Sequence, residues 1–267
     1  MADPLRLMCI MAHPDDESLG TGGTLAKYAA EGVETYLVTA TRGQRGWKGA
    51  VDDYPGPAAL AEVRSKELDA AAEVLGIRQL WLLDHMDGAL VQVDAEGITT
   101  RIAQLIRHVR PQVVVTFGPD GVYGHPDHIA ISQFATSALV RAAAPVDVTD
   151  DAPHTVAKLY YMVATRSLLE AYQSAFGVFA KVVDGRARNA VPWEEWMVSA
   201  RLDAREYGSI VWEAISCHRS QLRDYQKLQD LPSGQRQSIF GEQTYYRAFS
   251  LVNGGPQVEE DLFAGLR

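Results

Sequence analysis

Cysteine is nearly absent: two of 267 residues, Cys9 and Cys217, with no C-x-x-C pair. That excludes a disulfide framework and leaves two reduced, buried thiols as the plain reading. Long apolar runs are missing as well. Nothing approaches the ~20 residues that span a bilayer, and residues 7–12 are far too short for the apolar core of a signal peptide. Basic runs are also missing. The net charge is −9 and the pI about 5.3. This excludes a phosphate-backbone binder, which needs a basic face, and a protein held on anionic lipid. There is no repeat, low-complexity tract or linker. These absences predict a cytoplasmic chain with a small-molecule partner, no nucleic acid and no membrane insertion; a homo-oligomer stays open.

What is present is an ordinary globular composition, 47% hydrophobic and 22% charged, over a length that suits one large domain. Strand and helix patterns alternate. Residues 5–12 read as a first strand, 21–31 as a helix stopped by Gly32, and 34–40 as a second strand. The glycine-rich stretch 41–57 has no clear period. Residues 58–75 form a strong helix closed by Gly76. A third strand follows at 79–83, a helix at 97–109, a buried fourth strand at 112–118, a helix at 129–142 and a fifth strand at 158–165. Such alternation predicts an α/β protein with a mostly parallel sheet flanked by helices. Right-handed crossovers make it doubly wound and Rossmann-like, with strand order 3-2-1-4-5. A core over about 1–165 would carry a C-terminal cap over about 166–267, the whole of 1–267 being one domain. In that last third, 175–183 reads as a strand or hairpin, 193–219 as one long helix or two, 225–230 as helix and 243–252 as a late strand.

Chemistry concentrates where strands one and four end. Met11-Ala12-His13-Pro14-Asp15-Asp16-Glu17 sits at a strand-to-helix turn, where the ladder has ended and side chains can face a ligand. His13 and Asp16, three residues apart, can bend toward one point. An imidazole with a carboxylate is a common start for a divalent metal site, and zinc accepts both. Gly124-His125-Pro126-Asp127-His128 occupies the matching place after strand four, with Pro126 suited to the first helical position. Strands one and four are neighbours at the topological switch point, so the topology brings His13, Asp16 and His128 together. One His-Pro-Asp alone is usually a turn with an Asp cap; two at one crevice reverse that reading. Gly20-Thr21-Gly22-Gly23 does not meet G-x-G-x-x-G and carries no dinucleotide reading. His85 and His154 read as surface residues, and His108 as a cation at a helix end.

A-H-P-D-D-E at 12–17, G-H-P-D-H at 124–128 and C-H-R-S-Q at 217–221 resemble the PIG-L/LmbE-like deacetylases. These are metal-dependent enzymes that remove an acetyl group from N-acetylglucosamine-containing substrates or cleave related amides. The resemblance runs through most of the chain, to D-L-F-A-G-L at 261–266. It implies zinc, or ferrous iron, on His13, Asp16 and His128, with Asp15 as general base. It implies that His125, with Asp127 behind it, stabilises the oxyanion or protonates the leaving amine, and that Tyr123 assists at the oxyanion. Arg64 and Glu67, in R-S-K-E-L, resemble a substrate-contacting R-x-x-E-L, and Asp87 and His218 resemble pocket positions. The loop after strand two is acidic in many relatives and reads T-R-G-Q-R-G-W here. Loops at that edge bear function on a rigid scaffold, so Trp47 is expected to stack on a sugar and the arginines to meet an anionic group.

These residue types suit amide hydrolysis. Zinc polarises a carbonyl and lowers the pKa of bound water to about 7. A carboxylate that takes the proton adds roughly 10²- to 10⁴-fold, and donors aimed at the oxyanion help most. Neighbouring side chains at a strand end point in different directions, so Asp15 and Asp16 are expected to do separate jobs. The expected function is zinc-dependent N-deacetylation of an acetamido sugar or sugar conjugate. One rival is an amidase for a larger acyl group on a thiol or sugar conjugate. The other is a non-catalytic sugar- or nucleotide-binding module. Arg64 also has a plain reading as a solvated charge on an amphipathic helix, and Tyr123 as packing for its loop.

Overall fold

The computed structural model describes residues 4–145, 151–176, 180–183, 185–232, 234, 239–252 and 257–267. Its first strand, β1 (Arg6–Met11), lies inside a seven-stranded sheet. Every β1 residue after Arg6 is buried, as a strand with parallel neighbours on both sides and covered faces must be. Then come α1 (Asp16–Ala30), β2 (Glu34–Thr41), α2 (Pro57–Val74), β3 (Gln79–His85), α3 (Ala95–Val109) and β4 (Val113–Phe117). A single turn, α4 (Gly121–Gly124), leads into α5 (Pro126–Ala143), and β5 (Lys158–Met162) closes the parallel part. β1 pairs in parallel with β2 and β4, β2 with β3, and β4 with β5. The order β3-β2-β1-β4-β5 is the predicted one.

The last third adds α6 (Arg166–Phe176), a hairpin of β6 (Ala180–Val183) and β7 (Arg186–Asn189), β8 (Ala200–Asp203), α7 (Gly208–Cys217), α8 (Leu222–Gln229) and β9 (Glu242–Ser250). Two expectations change here. Residues 193–219 are not one helix or two, because 200–203 form β8 and the helix starts only at Gly208. Ala200 and Leu202 are fully buried while Arg201 reaches Glu195 and Glu242. That alternation has the period of a strand, but over four residues it is too short to outvote the helical pattern around it. The second change concerns the cap. β9 pairs antiparallel with β5 and with β8, so the last third extends the sheet as well as covering it. Of the expected strand or hairpin at 175–183, residues 177–179 lie outside the described residues, as do 146–150 of the loop before β5. Among the described residues no helix is long and apolar enough to cross a membrane.

One carboxylate pins the C-terminal tail to the sheet. Glu259 accepts from Lys158 Nζ at 2.7 Å, pairs with Arg247 at 2.9 Å and takes the Tyr160 hydroxyl. The Lys158 side chain is fully buried. A buried ammonium stripped of its partner is strongly destabilising, so Glu259→Ala is expected to lower the unfolding free energy by about 3–5 kcal/mol in urea titrations. A loss no larger than that of an exposed pair, about 0–1 kcal/mol, would mean that Glu259 does not neutralise Lys158.

Candidate metal and catalytic site

The turns that follow β1 and β4 build the site. Beyond β1, Asp15 takes φ 105°, a left-handed conformation that costs a non-glycine residue about 1–3 kcal/mol. Its surroundings hold it there. Glu17 accepts the Asp15 N–H at 2.9 Å, the Asp15 carbonyl accepts from Ser18 and Leu19, and Arg64 donates to the Pro14 carbonyl. After β4, Val122 has φ 68°, ψ −57°, rare for a β-branched residue. The reversal at Gly121–Gly124 then delivers His125 as the cap of α5. Its Nδ1 accepts the Asp127 N–H at 3.1 Å, with Pro126 in the first turn as predicted.

Two imidazole nitrogens and the two oxygens of one carboxylate converge between the two turns. His13 Nδ1 lies 3.2 Å from His128 Nε2 and 3.4 Å from the Asp16 carboxylate, and His128 Nε2 lies 3.5 Å from that carboxylate. Tetrahedral zinc with bonds of about 2.0–2.1 Å sets its ligand atoms about 3.3 Å apart, so the donor set fits one divalent ion. The outward nitrogens fit as well. His13 Nε2 faces Asp127 and Asp87 at 3.2 Å each, and His128 Nδ1 faces the Gly121 carbonyl at 3.3 Å. Metal-bound imidazoles usually have such a partner on the other nitrogen. Two overlapping sets also bring ligand atoms within 4.8 Å: His13 with His125 and His128, and His13 with Asp87 and Asp127. The second set gathers on the far nitrogen of His13. In the first, the helix cap occupies Nδ1 of His125 and leaves only Nε2.

Burial works on every charge here. It lowers His128 to about 3, leaving a neutral imidazole. It would lower His13 too, but Asp127, Asp16 and Asp87 outweigh it and raise His13 well above 6.5. Burial opposes ionisation of Asp87, yet His13 and the Arg45 N–H hold it down at about 2. Asp15 is raised, because burial exceeds the opposing pull of Arg64. His125 is lowered by burial and by the charge on His13.

Several expected residues meet in one cavity of about 750 Å³, lined by His13, Asp15, Arg64, Asp87, Tyr123 and His125 among others. Arg64 is not a solvated charge. It is 3% exposed and reaches the Asp15 carboxylate at 3.2 Å and the Gly43 carbonyl at 3.0 Å. Gly43 and Gly46 make this approach feasible, since a Cβ on either would collide with the guanidinium.

Four expectations need correction. Asp127 does not stand behind His125: its carboxylate faces His13 and accepts from the Gly88 and Leu90 N–H groups. His218 is not at the pocket, because its buried ring pairs with Glu17 at 2.7 Å. Glu67 caps the turn after α7 by accepting from Ser220 N and Oγ at 2.7 Å. Trp47 does not line the cavity. Its indole folds over Gly49 and donates to the Ala50 carbonyl. Its loop supplies Arg45, Gly46 and Lys48 instead, while Arg42 turns to Asp84 and Glu62.

Sequence reasoning missed Tyr225, whose hydroxyl donates to Asp15 Oδ2 at 2.7 Å from 210 positions away. It also missed the purpose of Gln221, which donates to the Gly46 carbonyl. The Ser-Gln of C-H-R-S-Q was the available signal for Gln221; Tyr225 had none. Cys217 is only partly buried, and the His154 ring, read as a surface group, is tied to the Pro111 carbonyl.

Fold and site together describe a doubly wound α/β protein with a histidine–aspartate cluster at its switch point. Residues 8–139 match the PIG-L family, described as GlcNAc-PI de-N-acetylase. A 1D-myo-inositol 2-acetamido-2-deoxy-alpha-D-glucopyranoside deacetylase 2 of Catenulispora acidiphila is 32% identical, over 99% of this chain and 98% of its own. The chain belongs to the PIG-L family. Two solved structures share the fold. N,N'-diacetylchitobiose deacetylase from Pyrococcus horikoshii has TM-score 0.65 at 19% identity, covering 92% of this chain and 84% of its own. The 4-carboxy-2-hydroxymuconate hydratase GalB from Pseudomonas putida KT2440 has TM-score 0.65 at 18% identity, covering 94% and 99%. One fold therefore carries names of two reactions, and the reaction has to be argued from the site.

The Glu17–His218 pair sits under that site with both side chains fully buried. Burial would lower His218, but Glu17 raises it above 6.5; burial would raise Glu17, but His218 lowers it below 4.5. A raised histidine stabilises fully below its unfolded value and loses this as pH rises through the folded one. A lowered glutamate stabilises above its unfolded value and loses this as pH falls through the folded one. The joint contribution is therefore largest between pH 4.5 and 6.5. His218→Ala is expected to cost about 3–5 kcal/mol there, because it strands a buried carboxylate. Melting curves of the metal-free protein and the variant across this range test it. A Tm difference that ignores pH would show that the pair is not ionised.

Proposed function

We propose that the protein is a metal-dependent N-deacetylase that hydrolyses the amide of an acetamido sugar or sugar conjugate. The observation that carries this is the 3.2–3.5 Å convergence of His13, Asp16 and His128, with His13 and Asp15 both lining one cavity. The names of the curated relatives point the same way. His13, Asp16 and His128 would hold the ion. Zinc suits two imidazoles and a carboxylate, with ferrous iron the second candidate. When bound, the ion supplies a Lewis acid for the carbonyl and lowers the pKa of a water. We also read the described elements as one domain, because β8 and β9 share the sheet of β1.

The chain's own residues do the rest. Tyr225 and Arg64 hold Asp15 Oδ2, leaving Oδ1 for the proton of the attacking water. Burial raises the basicity of that carboxylate, as a general base needs. The water oxygen bonds to the carbonyl carbon, the C–N bond breaks, and the proton passes to the departing amine. His125 accepts the Asp127 N–H on Nδ1, so its neutral ring carries hydrogen on Nε2. That N–H, with Tyr123 beside it, is a donor for the developing oxyanion. A purely sugar-binding module would have no use for a base held in a strained turn.

Metal analysis with a free-amine assay over N-acetylated sugars tests the reading. His128→Ala is expected to lose the metal, while His125→Ala keeps it and loses turnover. The opposite pattern would exchange the two histidines, and full occupancy in His128→Ala would sink the ligand set.

Asp15→Asn keeps size and hydrogen bonding but cannot take the proton. It is expected to retain metal while kcat falls at least ~100-fold. Near-normal turnover by metal-loaded Asp15→Asn would overturn the mechanism even with the ligand set intact.

A further inference from the structure

The cavity is lined by two kinds of residue. One kind is ionisable and comes from the turns after β1 to β4. The other is apolar and comes largely from the last third of the chain: Leu168, Leu169 and Tyr172 of α6 and Leu228 of α8, joined by Met162 of β5 and Leu19 of α1. Leu168 and Tyr172 stand one helical turn apart and so share a face. Burial pushes the Tyr172 hydroxyl up to about 12. Polar residues line the cavity as well: Thr244 donates to the Val163 carbonyl, Gln243 accepts from Thr24, Glu242 pairs with Arg201, and Arg223 and Lys227 are exposed.

The proposed mechanism uses none of the apolar wall, yet it is continuous with Asp15 and His125 in a cavity of the size that takes a drug-sized ligand. A sugar ring needs hydrogen-bonding partners, and a polyol such as inositol would leave its hydroxyls unsatisfied against leucine. Apolar area placed there gains from leaving water. We propose that the substrate carries an apolar group, a short alkyl chain or an aromatic ring, which lies against the Leu168–Leu169–Tyr172 wall while its amide meets Asp15 and His125. This rests on the amide-hydrolase reading above and narrows its substrate class. The group has two points of attachment, the aglycone on the anomeric oxygen or the acyl chain on nitrogen.

Two substrate series on the metal-loaded full-length protein separate these. One is the methyl, butyl and phenyl glycosides of N-acetylglucosamine; the other is the N-acetyl, N-butyryl and N-hexanoyl forms of the methyl glycoside. The wall predicts that kcat/KM rises along one series, mainly through a lower KM, by up to about fourfold per buried methylene. A rise with the glycoside puts the group on the aglycone. A rise with the acyl chain makes the protein an amidase for longer acyl groups. Turnover of the methyl N-acetyl glycoside with no rise in either series overturns the inference and leaves the deacetylase reading standing. If nothing is hydrolysed, the deacetylase reading fails. Calorimetric binding of the butyl and N-hexanoyl compounds against the methyl N-acetyl glycoside then decides the wall: tighter binding of either supports it, and equal binding overturns it. Leu168→Gln is expected to shrink the long-to-short ratio several-fold; an unchanged ratio would put the apolar group elsewhere and overturn the assignment.

Discussion

One imidazole joins the sheet to the chemistry. His13 leaves the end of β1 with two ring nitrogens, and the structure gives each a different neighbourhood. Nδ1 meets Asp16 and His128, the geometry of a metal ligand. Nε2 meets Asp127 and Asp87. The carboxylates on Nε2 come from the turns after β3 and β4, so fixing this ring ties three strand ends together. Asp127 adds to the tie by accepting from Gly88 and Leu90. Were Asp127 turned toward His125 instead, His13 would lose a strong orienting partner, and the loop after β3 would lose its anchor. Strand adjacency at the switch point makes this convergence possible, and the His13 ring makes it specific.

The second constraint is the backbone of Asp15. A left-handed aspartate is costly, and costly conformations persist only when neighbours over-determine them. Here Glu17 takes its N–H, Arg64 holds both the preceding carbonyl and the carboxylate, and Tyr225 holds one carboxylate oxygen. Glu17 is in turn fixed by His218, and Arg64 fits only because Gly43 and Gly46 lack side chains. Residues far apart in sequence therefore act on one torsion. The same turn places Asp16 on one side and Asp15 on the other, which is how adjacent acids come to face different partners.

This division explains what could be read from the sequence. The buried parallel strands are short apolar runs punctuated by glycine and proline, so β1 to β5 and their order were legible. So was Pro126 opening α5, because a missing N–H costs nothing in a helix's first turn. Side-chain partners were not. Nothing local says that Asp127 prefers His13 to His125, or that His218 pairs with Glu17 from 201 positions away. Tyr225 lies in a polar helix whose pattern gives no hint of Asp15. β8 was lost because four residues cannot establish a period. Trp47 was read as a sugar platform from its type and neighbourhood, but Gly49 let the indole fold back on its own loop.

The last third of the chain was the least legible and is the part that distinguishes the site. The proposed ligands, base and oxyanion donors all come from turns at the ends of β1 and β4. In the proposed mechanism that machinery acts on the amide and makes no contact with the rest of the substrate. Selectivity then has to come from elements that touch the cavity without touching the reacting atoms. α6 does this, as does Leu228 of α8, whose Tyr225 holds the Asp15 carboxylate. Their sequences can change apolar side chains without disturbing His13, since the hydrogen bonds of His13 run to Asp16, Asp87, Asp127 and His128, not to them. Changing this wall while keeping the turns after β1 and β4 would change which substrate is accepted without rebuilding the proposed catalyst.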